Sequence, residues 1–232
     1  MLLNVSSSIE PLHGFHRTIT TSIASENDDW IQSLEESQCL VRLYYKLPVL
    51  VFVDPYELVN YQHLYTFHHH GNANLELPVA AMDSNGTSLL LTLTSVGPHV
   101  DVTVPIHLRY GEISHSNSEA HHTAEIAWPH LFLSCSSSVQ IPNASLISYD
   151  LPPEEFASSL AGYSLYVTSE SFRADPDAQF MTVAVPVGQL GDLAQVRLGT
   201  VLTIVVMFLY VAYISYTTAR RLGKRVKLVK GE

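Results

Sequence analysis

The chain has 232 residues, with 12 basic against 22 acidic side chains and a formal charge of −10. That length allows one domain with a sizeable core, and the acidity argues against nucleic acid as a partner, because a phosphate backbone needs basic contacts. The charge is unevenly spread: the first 197 residues hold 6 basic and 21 acidic side chains, net −15, while those after Ala219 hold 6 basic and 1 acidic, net +5.

The opening MLLNVSSSIEPLHG has neither a basic n-region nor an apolar h-region, so a leader is expected to be missing or unusual. Phe15 to Ile23 then reads as a strand, followed by the polar turn SENDD, and Trp30 to Ser37 as a short helix or a connection. Cys39 to Val53 is rich in Val, Leu and Tyr, with Pro48 dividing it into two strands or placing a bulge. Further β patterns run from Ser88 to Val96, from Asp101 through Tyr110, and from Leu131 to Cys135. Tyr163 to Thr168 and Phe180 to Val187 complete the set, while Ser114 to His122 and Pro152 to Ser159 read as polar loops, the second with room for one helical turn. Short strands separated by Gly, Pro, Asn and Ser turns predict a mainly β domain, an antiparallel sandwich of jelly-roll-like kind, over residues 1–197.

From Leu198 to Ala219 the chain runs 22 residues without a charge. As a helix this stretch is about 33 Å long, enough to cross a hydrocarbon core. Arg220, Arg221, Lys224, Arg225, Lys227 and Lys230 follow at once, so residues 220–232 are expected as a cytosolic tail and the large domain on the other side. Three N-x-S/T sequons, at Asn4, Asn85 and Asn143, agree with a glycosylated lumenal domain. Cys39 and Cys135 leave two readings open, one disulfide or two buried thiols.

The sharpest local logic lies in Leu47 to Leu58, where a β run ends at Val53. Asp54 is placed to cap a short helix through about His63, with Pro55 at its first position and Glu57 closing a capping box. Capping accounts for both carboxylates, and an acid/base pair ranks below it. In PIHLRY, alternation puts Ile106, Leu108 and Tyr110 on one face and His107 and Arg109 on the other. Arg109 is therefore expected either as a surface ion pair or as a charged contact with a partner. His68 to His70, and His121 with His122, read as solvated loop histidines; Asp175-Pro-Asp177, spelled like a metal-sugar motif, reads as a turn. Gly199 and Thr203 make a small-x-x-x-small step for helix packing, and Tyr210, Tyr213 and Tyr216 recur toward the basic end as interfacial anchors.

The segments GFHRTI (Gly14 to Ile19), VFVDPYEL (Val51 to Leu58) and VPIHLRY (Val104 to Tyr110), with VAVPVGQL (Val183 to Leu190) leading into one membrane helix, resemble the PIG-X family in order and spacing over about Gly14 to Thr218. The resemblance implies a stabilising, non-catalytic subunit of the first mannosyltransferase of glycosylphosphatidylinositol synthesis, resident in the endoplasmic reticulum membrane beside a multi-spanning catalytic partner, PIG-M. It implies no catalytic residue, cofactor or metal of its own. Cys39 and Cys135 sit where resembling members have cysteines, and a disulfide between neighbouring strands is expected. The candidate partner interface is Asp54, Pro55, Tyr56, Glu57, His107 and Arg109 on the domain, with Gly199 and Thr203 on the helix. A second class stays open: an independent lumenal module that binds sugar or protein on the same fold.

Overall fold

The computed structural model describes residues 3–25, 34, 36–72, 74, 77–82, 86–114, 120–136, 144–146, 154–168 and 180–229. Asn85, Asn143, the Asp175 to Asp177 segment and most of Trp30 to Ser37 lie outside the described residues. The chain divides into two units, one of residues 1–112 and 121–187, the other of residues 113–120 and 188–232.

The first unit is an antiparallel sandwich of unequal sheets. One sheet orders β1 (Leu3–Glu10), β2 (His16–Ser25), β7 (His99–Leu108) and β4 (Val51–Phe52) as β1-β2-β7-β4. The other orders β10 (Ala144–Leu146), β11 (Tyr163–Thr168), β9 (His130–Ser136), β3 (Leu40–Leu47), β6 (Thr87–Leu93) and β5 (Tyr65–His70) as β10-β11-β9-β3-β6-β5. A two-stranded ribbon pairs β12 (Phe180–Pro186) with β8 (His121–Ala127). Pro48 does divide the Cys39–Val53 run, since β3 ends at Leu47 and β4 begins at Val51.

The four-stranded sheet follows the alternation rule. Along β2, Arg17, Ile19, Thr21 and Ile23 turn inward, and Val102, Val104 and Ile106 of β7 join them in the core. Leu43, Tyr45, Leu89 and Leu91 come from the larger sheet. Two phenols tie the layers, Tyr45 Oη with Thr21 Oγ1 at 2.9 Å and Tyr65 Oη donating to the Thr103 carbonyl at 3.0 Å. Burial pushes the Tyr45 hydroxyl above the ordinary tyrosine range, so it stays a neutral hydrogen-bonding group.

The centre of the larger sheet is buried on both faces, which explains why β3 and β6 read as continuous apolar runs. A 3-10 turn at Glu154–Phe156 and the short helix α2 (Ala157–Leu160) lay Phe156 and Leu160 over Tyr44, Leu90 and Phe132 on its outer face. Arg42, also buried, donates to Ser134 Oγ at 2.8 Å and sits over the Tyr163 ring. Cys39 and Cys135 are joined in a disulfide. The β3–β9 register pairs Leu40 with Ser134, and one step further brings Cys39 opposite Cys135.

The expected loops at His68 to His70 and His121 to His122 are corrected: these residues belong to β5 and β8. Polar histidines obscured the alternation that buries Tyr65 and Ile126. The run of serines in β1 hid a strand in the same way, although Val5 and Ile9 are buried on its inner side.

In the second unit, the helix α3 (Leu193–Val229) makes up most of a candidate span from Leu190 to Leu222, in which 18 consecutive residues reach a mean hydropathy of 2.1 with none of them buried. It is long and apolar enough to cross a membrane. The helix runs on beyond the charge-free stretch, through Arg197 and Arg220, because a charged side chain does not interrupt backbone hydrogen bonding. Its hydroxyls are turned back on the helix: Thr200 Oγ1 donates to the Val196 carbonyl and Thr203 Oγ1 to the Gly199 carbonyl, both at 2.8 Å. In hydrocarbon this satisfies donors that water would otherwise take. The Arg220 guanidinium lies over the Tyr216 ring, pairing a cation with an amphipathic ring at the basic end.

Candidate functional site

The strand registers bring GFHRTI, VFVDPYEL and VPIHLRY together on the outer face of the four-stranded sheet. His16 of β2 is the direct partner of His107 of β7, and His107 is in turn the partner of Phe52 on β4. The helix α1 (Pro55–Leu58) then starts three residues after Phe52, too soon for the chain to leave that face. Asp54 caps it, its carboxylate accepting from the Tyr56 N–H at 2.9 Å, and Pro55 occupies the first position as expected. One α turn and one 3-10 turn, Val59–Tyr61, make up the whole element.

Glu57 does something other than close a capping box. Its Oε1 accepts from His16 Nε2 at 2.9 Å and its Oε2 from His107 Nε2 at 2.8 Å, each ring presenting that nitrogen to the carboxylate. The two imidazole centroids are 4.7 Å apart. Two charge-capable donors outcompete one backbone amide for the same carboxylate, so a long-range contact replaces the local one. Burial alone would push the Glu57 carboxyl up; the hydrogen bonds from His107 and His16, with their charge, outweigh it and hold the group below the ordinary glutamate value.

Phe52 stacks nearly flat on His107, 5.3 Å between centroids and 19° between planes. The Arg109 guanidinium covers the same phenyl ring, 4.2 Å from its centroid. The surface expectation for Arg109 is corrected here: it is 2 % exposed, whereas Tyr110 is 69 % exposed. β7 ends at Leu108, so alternation no longer governs the residues beyond it. The guanidinium donates to the carbonyls of Asn72, at 2.8 Å, Leu77, at 3.0 Å, and Asn74, and no carboxylate pairs with it among these contacts. A fork with five donors suits three converging carbonyls in a way that an ammonium does not. Arg17, beside His16, is pinned likewise, to the Gly14 carbonyl at 3.0 Å and the Ala184 carbonyl at 2.8 Å.

Of the other expected site residues, Tyr56 projects into solvent with 87 % of its surface exposed. Gly199 has open space on its Cα side, and the Thr203 hydroxyl is committed to its own helix. Asn4 lies exposed on β1. Among the described residues, the group able to hold a metal ion is His16, Glu57 and His107. His70 instead approaches Glu155 at 3.6 Å.

A family model described as PIG-X / PBN1 matches residues 12–216. The chain belongs to the PIG-X / PBN1 family. It is 30 % identical over 146 residues to Protein pbn1 of Emericella nidulans, covering 57 % of this chain and 27 % of that protein. It is 28 % identical over 138 residues to Protein pbn1 of Aspergillus oryzae, covering 53 % and 25 %. The chain thus spans about a quarter of the length of the curated relatives it matches. No solved structure matches it.

Within this PIG-X / PBN1 member, sequence reasoning missed His16 as a partner of Glu57. The available signal was the pair of histidines in GFHRTI and PIHLRY, which only the β2–β7 register brings side by side. Glu57→Gln should lower stability by about 1–2 kcal/mol, since both rings lose the carboxylate and only one keeps an acceptor, the amide oxygen, while the site is partly solvated. Because the folded pKa of Glu57 is depressed, its contribution is present above the unfolded pKa and is lost as pH falls through the folded value. Melting curves of both proteins in detergent should therefore differ by a few degrees at neutral pH and converge in acid well below the ordinary carboxyl pKa.

Proposed function

We infer that this chain is a stabilising, non-catalytic subunit of the endoplasmic reticulum mannosyltransferase that adds the first mannose to the glycosylphosphatidylinositol precursor. One observation carries the reading: the PIG-X / PBN1 match runs from just before β2 into the apolar part of α3, so it takes in both the sandwich and the anchor. Membership supports a role in GPI-anchor biosynthesis, and the finer assignment follows the family resemblance of the three converging segments. The Cys39–Cys135 disulfide suits an oxidising lumen. The acidic domain and basic tail favour a single pass with residues 1–197 lumenal, 198–219 in the membrane and 220–232 cytosolic.

In this arrangement the sandwich packs on lumenal loops of a PIG-M-like catalytic subunit and α3 on its membrane spans. Tyr56 is the exposed feature of the α1 turn, with His107 and Glu57 setting that turn on the sheet; Arg109 acts on the interface through the loop it holds. On α3 the open Gly199 face lets another helix approach closely. Purification in a gentle detergent should retain a multi-spanning mannosyltransferase, and Tyr56→Ala should reduce its recovery while leaving the melting temperature of this chain by itself unchanged. Recovery of a soluble lumenal glycoprotein with no multi-spanning partner would instead favour the independent binding module.

A further inference from the structure

The side chains on the outer face of the four-stranded sheet have the donor set of a transition-metal site. His16 and His107 are cross-strand partners, and each turns the same nitrogen, Nε2, toward Glu57. The carboxylate answers each ring with a different oxygen, and the three ligand atoms lie within 4.8 Å of one another. Zinc bonds of about 2.0–2.1 Å in a tetrahedron place ligand atoms roughly 3.4 Å apart, so closure asks the wider pair to move inward and the hydrogen-bonded contacts to open slightly. It also asks each Nε2 to give up its proton, by loss or by a shift to Nδ1. His16 can supply the movement, because its side chain is 55 % exposed.

We propose that His16, Glu57 and His107 form a binding site for one divalent transition-metal ion of the zinc class. Two imidazoles and one carboxylate suit a borderline ion in softness, and three protein ligands leave a fourth position to water on the solvent side. Each ligand stands on a fixed element. Phe52 stacks on His107 and sets its plane; Arg17 pins the start of β2 beside His16; Asp54 caps the turn that carries Glu57. Such support is what keeps ligands converged in a metal site. A clasp holding α1 to the sheet would need only one histidine, whereas here two converge on one carboxylate. Arg109 offers no competing cation to Glu57, since its two terminal nitrogens donate to Asn72, Asn74 and Leu77. A bound ion would cross-link β2, α1 and β7 at one point.

The test uses the full chain in detergent, stripped with a chelator and titrated with zinc alone by calorimetry and by competition with a chromophoric chelator. One saturable equivalent and a higher melting temperature on zinc addition are expected. His16→Gln, Glu57→Gln and His107→Gln should each weaken binding by roughly 100-fold or more, since even losing an outer-shell contact costs 10–100-fold. His68→Gln and His121→Gln, exposed histidines elsewhere, should leave it unchanged. X-ray absorption should show a shell of nitrogen and oxygen at about 2.0 Å, lost in the first three variants. His16→Gln keeps a neutral donor for Glu57 on an exposed site, and its circular dichroism and zinc-free melting check that it is folded. Absence of a saturable equivalent in the wild-type chain, or a folded His16→Gln chain that holds zinc as tightly as wild type, would overturn the site.

Discussion

Replacing Arg109 with methionine is expected to destabilise the full chain by about 3–5 kcal/mol, the sum of several buried acceptors left unmade at one place. Three carbonyls, of Asn72, Asn74 and Leu77, lose their donor at once, and each buried acceptor left unmade costs about 1–3 kcal/mol when water cannot reach it. The Phe52 ring, which stacks on His107, also loses the cation over its face. Arg109→Lys should recover less than half of the loss, because a point charge cannot serve three carbonyls and stack on a ring together. At about 2–4 °C per kcal/mol for a chain of this size, the methionine variant should melt roughly 6–20 °C lower in detergent. In cells its own abundance should fall before any effect on a partner is seen. A shift under about 2 °C would mean that water replaces the guanidinium and that the loop does not depend on it.

The second large effect is expected at Cys39 and Cys135. The bridge closes a loop with a sequence separation of 96 residues. In the chain-entropy model a loop of about 100 residues is worth close to 4.7 kcal/mol, through the freedom it removes from the unfolded chain. Replacing both cysteines by alanine should therefore cost about 3–5 kcal/mol, the sulfurs' packing included, as both are buried between β3 and β9. Folding of the double variant should become sensitive to small further losses such as Glu57→Gln. Melting of the oxidised wild type against the double variant measures it. A difference below about 1 kcal/mol would show that the unfolded chain is already constrained across that loop.

Where the chain's own pattern carries the information, the fold is legible from the residues. Tyr163 to Thr168 is a strand with the expected limits, and Pro48 separates β3 from β4 because it cannot extend the ladder. The charge-free stretch ahead of six basic residues marks the apolar helix without any knowledge of its surroundings. The site is legible only in part. Asp54 and Pro55 start α1 for local reasons and do so as expected. Glu57 and Arg109 escape local rules for the same reason: their partners lie 32 to 50 residues away, in segments whose approach no nearby residue reports. Alternation places Arg109 on the surface, yet β7 stops at Leu108 and the carbonyls at 72, 74 and 77 close over it. His68 and His70 fail in the opposite direction, their polarity hiding a strand whose other face is held by Tyr65, Phe67 and His69.

In the function proposed above, this chain sustains a catalytic mannosyltransferase without performing the transfer. Binding that favours only the folded state stabilises both partners, so losing one should lower the amount of the other. The most direct measurement is first-mannose transfer in membranes lacking this chain, alongside the abundance of the catalytic subunit, before and after that subunit is overexpressed to its normal level. Abundance and transfer are expected to fall together, and both to return on overexpression. Unchanged abundance with unchanged transfer in the depleted membranes would contradict it.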